Sequence, residues 1–379
     1  MYTGTRSWIR VLACASAVVA AALSWSQSLI WLGTLGGDYS AATAVSADGK
    51  VVVGVAKNTA GQERAFRWTE SDEMQDLGTL PGYTSSEASG ISADGKIVVG
   101  TAKNVLDQRR AFRWTAAEGM QDLGRLYGYE YSAATAISAD GLVVVGVASR
   151  EGQARAFRWT VGSGMQDIGA LPGGKISRAL GVSADGRIVV GAAKNRSGRF
   201  RAFRWIEAGR MQDLGTLPDP QPRATAPRPR GLLWRIPRRQ EMEASEATAV
   251  SADGKVVVGN ASKLGGIIGR AFRWTEKGKM QDLGLLGNDS TFALAVSADG
   301  AIVVGKAVRI TDGHQRAFRW TAENGMENLN ITYASLLKDG SRLEVARAIS
   351  PDGRYIVGVG YNAITRRQEA FLLDTGKAR

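Results

Sequence analysis

The chain has 379 residues, 47 glycines and a formal charge of +12, but only one cysteine and one histidine. The cysteine, Cys14, lies in an N-terminal run that is predicted to be removed, so disulfides, thiol chemistry and thiolate metal sites are excluded for the mature chain. His314 has no second histidine and no Gly-x-Ser-x-Gly elbow beside it, so catalytic triads and histidine metal sites have no support.

The N-terminus has the charge order of a secretory signal. Arg6 and Arg10 precede the apolar run Val11–Leu23, and small residues follow it. The pattern predicts a signal peptide over residues 1–26; an uncleaved anchor is the alternative, although the run is short for a membrane span. We therefore expect an exported protein that is periplasmic, extracellular or on the cell surface of a Gram-negative bacterium, with no integral membrane span in the mature chain.

A repeated phrase then organises the chain. Leu29–Leu35 resembles the segment Met74–Leu80, and between and beyond them Ser-Ala-Asp-Gly recurs at intervals of mostly about 46 residues, with one Ser-Pro-Asp-Gly variant at the end. The seven copies are Ser46–Gly49, Ser92–Gly95, Ser138–Gly141, Ser183–Gly186, Ser251–Gly254, Ser297–Gly300 and Ser350–Gly353. A fixed period of this size indicates an array of units that bury their apolar faces against one another.

Each unit is predicted to contain four short strands, A to D, and no helix. In the second unit, Asp94 and Gly95 favour a turn, the β-branched run that follows favours a buried strand, and Phe112 and Trp114 alternate with polar or small residues. The predicted strands of this unit are A over Ser86–Ser92, B over Lys96–Ala102, C over Arg110–Thr115 and D over Met120–Gly124. The A strands carry small side chains, as a strand at a crowded central axis requires.

One insertion interrupts the period. Residues 218–244 hold six arginines, six prolines and Trp234. Proline at this density prevents a regular strand or helix, and the charge favours disorder. The segment is either a basic arm with an aromatic anchor or a tolerated loop, since long insertions cost little closure entropy.

The two ends of the array complement each other. The last repeat has predicted strands over Val345–Ser350, Arg354–Gly360 and Glu369–Leu373 but no fourth strand, whereas Leu29–Leu35 is a spare fourth strand. Pairing of the termini would remove two open sheet edges. The sequence therefore predicts an all-β protein, a seven-bladed β-propeller of four-stranded antiparallel blades, forming one domain over residues 27–379.

The recurring Arg-Ala-Phe-Arg-Trp, Met-Gln-Asp-Leu-Gly-Thr-Leu and Val-Ser-Ala-Asp-Gly motifs resemble those of the HAF repeat family of bacterial, extracellular repeat proteins. The resemblance covers roughly residues 29–374. It implies an envelope or secreted location, without a known activity. The family is named for His-Ala-Phe, and the histidine position here is held by Arg64, Arg110, Arg155, Arg201, Arg270, Arg316 and Glu369, which weakens any proposal of a chemical role for it.

The B–C and D–A loops are predicted to share one variable face of the ring, and loops on a rigid frame are where binding usually occurs. Six blades carry a basic residue near the end of strand B: Lys57, Lys103, Arg150, Lys194, Lys263 and Arg309. Tyr83, Tyr127 and Tyr129 lie in the D–A loops. With Trp234, these residues predict a site for an anionic glycan, a cell surface or an acidic protein; the alternative is a solvated surface that serves solubility.

Other expectations follow from the repeats. The arginine between Phe and Trp, such as Arg67, is expected to stack on an aromatic ring or to pair with a carboxylate such as Asp76. Glu87 and Glu246 share one A-strand position, and as facing carboxylates they would make a hydrolase or lyase for an extracellular glycan the alternative function. Otherwise we expect a monomeric, non-catalytic protein with no cofactor or metal, and the export signal argues against a nucleic-acid partner.

Overall fold

The computed structural model describes residues 26–207, 209–218, 244–263, 268–287 and 289–376. Strand β1 spans Ser28–Trp31 and precedes the repeats. The first three repeats contain β2 (Gly36–Val45), β3 (Val52–Asn58), β4 (Glu63–Thr69), β5 (Glu73–Asp76), β6 (Ser85–Ile91), β7 (Val98–Lys103), β8 (Arg109–Thr115), β9 (Gly119–Asp122), β10 (Tyr131–Ile137), β11 (Val143–Arg150), β12 (Gln153–Thr160) and β13 (Gly164–Asp167). The later repeats contain β14 (Ser177–Val182), β15 (Ile188–Lys194), β16 (Phe200–Ile206), β17 (Gln212–Asp213), β18 (Ala244–Val250), β19 (Val256–Lys263), β20 (Ile268–Thr275), β21 (Lys279–Asp282), β22 (Ser290–Val296), β23 (Ile302–Val308), β24 (Gln315–Thr321), β25 (Gly325–Asn328), β26 (Arg342–Ile349), β27 (Tyr355–Asn362) and β28 (Arg367–Asp374).

The described chain also contains one helical insertion that the sequence pattern did not predict. The short helix α1 (Leu329–Thr332) follows β25 and leads into a 3-10 turn at Ala334–Leu336. The Asn328 side chain caps the helix by accepting a hydrogen bond from the Asn330 amide. No helix in the described part of the chain has the length and apolarity that crossing a membrane would require.

The repeats form the predicted four-stranded antiparallel sheets. Repeats two to six each make one sheet, in which strands A, B, C and D pair in chain order. The first and last repeats share an eight-stranded sheet, joined by a single parallel bridge between Tyr39 and Gln368. In that sheet β1 pairs antiparallel with β28, with Trp31 opposite Phe371. The all-β prediction is confirmed.

A hydrogen-bonded turn closes strands A and B in every repeat. In the second repeat, Asp94 accepts hydrogen bonds from the Ser92 hydroxyl at 2.6 Å and the Lys96 amide at 3.1 Å. The Ser92 hydroxyl in turn accepts from the Ile97 amide. Gly95 has φ of +72°, and a side chain there would also strike Val51 of the preceding repeat. These contacts explain why Ser, Asp and Gly recur together.

The apolar core lies between neighbouring repeats. The phenylalanine of each strand C is fully buried, and in the second repeat Phe112 packs with Val98 against Leu77 and Leu80 of the first repeat. Strand B has a glycine opposite this ring; a Cβ at Gly100 would lie 2.0 Å from the Glu87 carbonyl oxygen and 2.6 Å from the Phe112 ring. Each repeat therefore depends on its neighbour for burial, as the period indicated.

Two sets of hydrogen bonds join successive repeats. The Ser86 hydroxyl on strand A accepts from the Ala65 amide and donates to the Gly78 carbonyl, both in the preceding repeat. At the turns, the Ala47 amide donates to the Ala93 carbonyl. The same turn contact continues from Ala93 to Ala139, to Ala184, to Ala252, to Ala298 and to Pro351. Proline has no N–H, so Pro351 cannot donate the next bond of the series.

The junction of the last and first repeats reuses the serine bridge. Ser40 is fully buried; its hydroxyl accepts from the Ala370 amide at 2.8 Å and donates to the Gly33 carbonyl at 2.5 Å. Tyr355 replaces the valine or isoleucine that packs on the turn glycine elsewhere, and its ring lies against Gly49. The N-terminal strand thus occupies the position that strand D has in the other repeats.

Candidate functional site

The B–C and D–A loops lie together on the edge opposite the Ser-Ala-Asp-Gly turns. Contacts between them show this: Lys57, at the end of strand B, pairs with Asp38 at 3.2 Å, and Arg150 donates to the Gly128 carbonyl at 3.1 Å. The structure therefore brings those predicted binding residues that it describes to one face, which we call the variable face. Its loops differ from repeat to repeat, whereas the turns on the other face are nearly identical.

Local carboxylates accompany three of the predicted cations. Lys57 pairs with Asp38, Lys103 with Asp107 at 3.0 Å, and Arg309 with Asp312 at 2.8 Å. All three cations keep between a third and a half of their side-chain surface exposed. Such exposed pairs contribute little to stability, and their cations still have N–H groups for a ligand.

Two other predicted cations lie over aromatic rings. Arg150 is stacked on Tyr129, with 5.5 Å from Cζ to the ring centroid. Lys194 lies over Phe200 at 5.3 Å, and Arg178 contacts the same ring at the same distance. These contacts hold the charged heads near apolar surface and reduce their motion. The side chain of Lys263 lies outside the described residues.

The tyrosines of the variable face divide into two kinds. Tyr83 and Tyr129 are half-buried and pack against the cores of their inter-repeat junctions. Tyr127 is fully exposed. Trp234 and residues 219–243 of the insertion lie outside the described residues. Tyr127 is thus the tyrosine whose ring is open to a ligand.

Glu87 lies in a small polar cavity of about 190 Å³ with Glu63, Lys103 and Arg109. Burial raises the pKa of the Glu87 carboxyl above its ordinary value and the charge of Glu63 raises it further, whereas Arg109, Arg347 and Lys103 act in the opposite direction. Glu87 also keeps surface open to solvent, so its carboxyl is crowded by the cavity walls and still reachable from outside. Glu63, on strand C of the first repeat, is a carboxylate near Glu87 that the sequence pattern did not reveal.

Glu246 is exposed and occupies the predicted A-strand position opposite Asn260. Glu246 is not among the residues that line the Glu87 cavity; the second carboxylate in that lining is Glu63. Among the described residues, no group of three or more His, Cys, Asp or Glu side chains is arranged to hold a metal ion.

The repeated arginines have structural partners, and one expectation about them was wrong. Asp76 pairs with Arg64 at 3.5 Å, not with Arg67, whose nearest carboxylate is Asp72 at 4.0 Å. The same pairing with the aspartate of strand D recurs for Arg110, Arg155 and Arg270. Residues three apart on a strand lie on opposite faces of the sheet. The sequence spacing did not show which of these faces carries the side chain that reaches Asp76 on strand D.

The arginine between Phe and Trp has two kinds of partner. Arg113 and Arg319 pair with Glu118 and Glu327 of their own repeats, as the expectation of a carboxylate partner had it, whereas three others reach the next repeat. Arg158 donates through Nε to the Gly186 carbonyl at 3.2 Å, and Arg204 and Arg273 make the equivalent bond to Gly254 and Gly300 at 3.1 Å. In the sixth repeat, Arg319 stacks on Tyr333 at 5.9 Å. Arg158, Arg204 and Arg273 thus join neighbouring repeats at the edge that carries the Ser-Ala-Asp-Gly turns, which we call the turn edge.

The structure also contains two larger cavities that the sequence did not predict. One, of about 390 Å³, lies on the variable face where α1 separates the sixth and seventh repeats, and Arg309, His314, Arg316 and Arg342 line it. The other, of about 790 Å³, lies on the turn edge at the junction of the last and first repeats, lined by Trp68, Tyr355 and other residues. Both contain residues from separate repeats, so only the pairing of the repeats reveals them.

Comparison by sequence finds no matching family model and no matching curated protein. Comparison by structure finds β-propellers. The propeller domain of the Trilobed protease from Pyrococcus furiosus, of open velcro topology, is similar with a TM-score of 0.53 at 10% identity, covering 90% of this chain and 95% of that one. A putative TolB from Agrobacterium tumefaciens has a TM-score of 0.49 at 16% identity, covering 80% and 94%. At 10% identity the likeness to the Trilobed protease domain concerns the fold alone: the chain has a β-propeller fold.

Proposed function

We propose that this protein is an exported, non-catalytic binding protein with seven blades, and that its variable face binds an anionic macromolecule such as an acidic glycan of a cell surface. The N-terminal charge pattern and the resemblance to HAF repeat proteins support export. The pairing of β1 with β28 and the Ser40 bridge support a ring closed by the N-terminal strand.

The main support for a binding site on the variable face is the difference in sequence and hydrogen bonding between the two edges of the sheets. On the turn edge, the serine and aspartate side chains of the turns bind one another in repeat after repeat, so the same polar groups are already engaged in each turn. On the variable face, loops of different sequence hold cations whose partners fix them in place while part of each head remains exposed. A rigid frame with ordered cations lowers the entropy lost on binding.

Binding of the purified protein to immobilised polygalacturonate, with neutral dextran as the reference polymer, tests the proposal. We expect saturable binding to polygalacturonate that weakens steeply from about 0.1 M to about 1 M salt, because the screening length falls from about 10 Å to about 3 Å. Equal binding to dextran, or no binding at low salt, would contradict it.

The turn lysines provide a matched control. The variant Lys103→Gln/Arg150→Gln removes two charges from the variable face, and Lys50→Gln/Lys96→Gln removes two from the turn edge, where both lysines are about four-fifths exposed. We expect only the first to weaken binding. Similar losses in both variants would indicate nonspecific charge attraction. Deletion of residues 219–243 in the same assay measures the contribution of the insertion.

The Glu87 cavity favours one second candidate, a hydrolase or lyase for an extracellular glycan. A carboxyl with a raised pKa beside another carboxylate, Glu63, has the character of a general acid with its partner. Release of reducing ends from a panel of glycans, compared between the wild type and Glu87→Gln, tests it. Activity that Glu87→Gln abolishes would favour this candidate over the binding protein.

A further inference from the structure

We propose that the cavity between the sixth and seventh repeats is a binding pocket for a single sugar acid, a hydroxylated ring that carries one carboxylate. The inference rests on, and deepens, the proposed anionic ligand of the variable face. The cavity volume of about 390 Å³ falls in the range of about 300–1,000 Å³ that small-molecule sites occupy.

The lining of this pocket presents hydrogen-bond donors and no carboxylate. Three arginines and a histidine, Arg309, Arg316, Arg342 and His314, line it together with the amides of Gln315, Asn328 and Asn330, whereas Ala334 and Leu337 supply an apolar patch. A guanidinium fork matches a carboxylate in a two-bond geometry. The amide of Asn330 is engaged with the backbone of Leu343, so the amides of Gln315 and Asn328 are the ones that suit hydroxyls. The apolar patch suits the face of a sugar ring.

Carboxylates behind the lining hold two of the arginines in place. Asp312 accepts from Arg309 Nη1 at 2.8 Å and from the His314 amide at 3.0 Å, which ties the B–C loop into a tight turn. Asp289, almost completely buried, pairs with Nη2 of Arg316. Each pair uses one nitrogen of a guanidinium that has five N–H donors, so donors remain for a ligand.

Two groups show unused donor capacity. Arg342 is exposed and stacks on the Tyr361 ring at 4.7 Å, and its guanidinium donates no hydrogen bond to another described residue. Nε of Arg316 is buried and has no partner among the described residues, and an unsatisfied buried donor calls for an acceptor. Glu344, beside Arg342 and His314, balances part of the charge, so recognition depends on directed hydrogen bonds more than on net charge.

The experiment is titration of the purified protein by calorimetry with D-glucuronate, D-glucose and inorganic phosphate. We expect saturable binding of glucuronate at one site and none of glucose, which lacks the carboxylate. Phosphate should compete poorly because it cannot use the amides and the apolar patch together. No saturable glucuronate binding, equal binding of glucose, or phosphate displacing glucuronate as well as glucuronate itself would each overturn the assignment.

Variants locate the site. Arg342→Gln should weaken glucuronate binding by about tenfold to a hundredfold, the usual effect of losing a charged hydrogen bond. Arg309→Gln is the second variant, in case the first disturbs folding, which its melting temperature will show. Arg187→Gln, an exposed arginine on the Ser-Ala-Asp-Gly turn of the fourth repeat, is the control and should change nothing. Wild-type affinity in both pocket variants would refute the inference.

The outcomes separate this inference from the proposed function. If glucuronate does not bind but polygalacturonate still does, the pocket fails and the wider anionic site stands. If glucuronate binds at the pocket and polymers do not, the pocket stands and the macromolecular ligand fails.

Discussion

One buried hydroxyl, that of Ser40, joins the first repeat to the last repeat and to the segment that follows the N-terminal strand. In Ser40→Ala, the Ala370 amide and the Gly33 carbonyl both lose their hydrogen-bond partner. Ser40 is fully buried in the wild type. Leaving a buried backbone group unsatisfied costs about 1–3 kcal/mol. Because the Ala370 amide belongs to a buried residue and Gly33 is half-buried, we expect the free energy of unfolding to fall by about 2–4 kcal/mol.

Urea unfolding followed by tryptophan fluorescence measures this change. Ser86→Ala removes the equivalent bridge between the first and second repeats and should cost a similar amount. Ser71→Ala, on an exposed loop, should change the free energy of unfolding by no more than about 0.5 kcal/mol. If Ser40→Ala behaves like Ser71→Ala while Ser86→Ala is destabilised, the N-terminal strand does not complete the last repeat and the reasoning is wrong.

Three further predictions concern strand packing and pH. Gly100→Ala should lower the free energy of unfolding by about 1–3 kcal/mol or more, since its Cβ would meet the Glu87 carbonyl and the Phe112 ring. Gly162 has open space around it, so Gly162→Ala should be nearly neutral in the same urea titration. Hydrogen bonds from the Lys255 amide and the Ser251 hydroxyl lower the pKa of Asp253 to about 2; the stability they confer is present above the ordinary pKa of 3.8 and is lost as pH falls toward 2. Asp253→Asn, which does not titrate, should therefore lose less stability than the wild type between about pH 5 and about pH 2.5, and an equal loss would refute the role of this turn. Because the pKa of Glu87 is raised, its charge opposes folding once pH exceeds its folded pKa, so Glu87→Gln should stabilise the protein at pH 7 more than at pH 4; unfolding curves at the two pH values check the sign.

Local patterns predicted the strands well. The predicted strand C of the second repeat, Arg110–Thr115, differs by one residue from the observed Arg109–Thr115, and the alternation of Phe112 with its neighbours explains the agreement. The orphan strand was also recognised from its likeness to Met74–Leu80, and β1 pairs with β28 as that likeness suggested. Helix α1 was missed because four residues are too short to show a helical period.

Contacts between repeats required the structure. The recurrence of Ser, Asp and Gly predicted the turns correctly, because each turn is closed by residues within six positions of one another. Which arginine reaches Asp76, and which carboxylate lies near Glu87, depends on how strands of different repeats face each other. A periodic sequence has the same local pattern in every repeat. That pattern does not show which residues of different repeats come into contact.

The sequence by itself determined the all-β class, the four-strand unit and the division into a uniform and a variable edge, because these depend on side-chain alternation and turn chemistry within about 46 residues. Only the tertiary structure decided that Arg309, Arg316 and Arg342 line one cavity, since they come from two repeats separated by α1. The departures from the repeat, which a periodic pattern treats as exceptions, are what the packing of neighbouring repeats brings together.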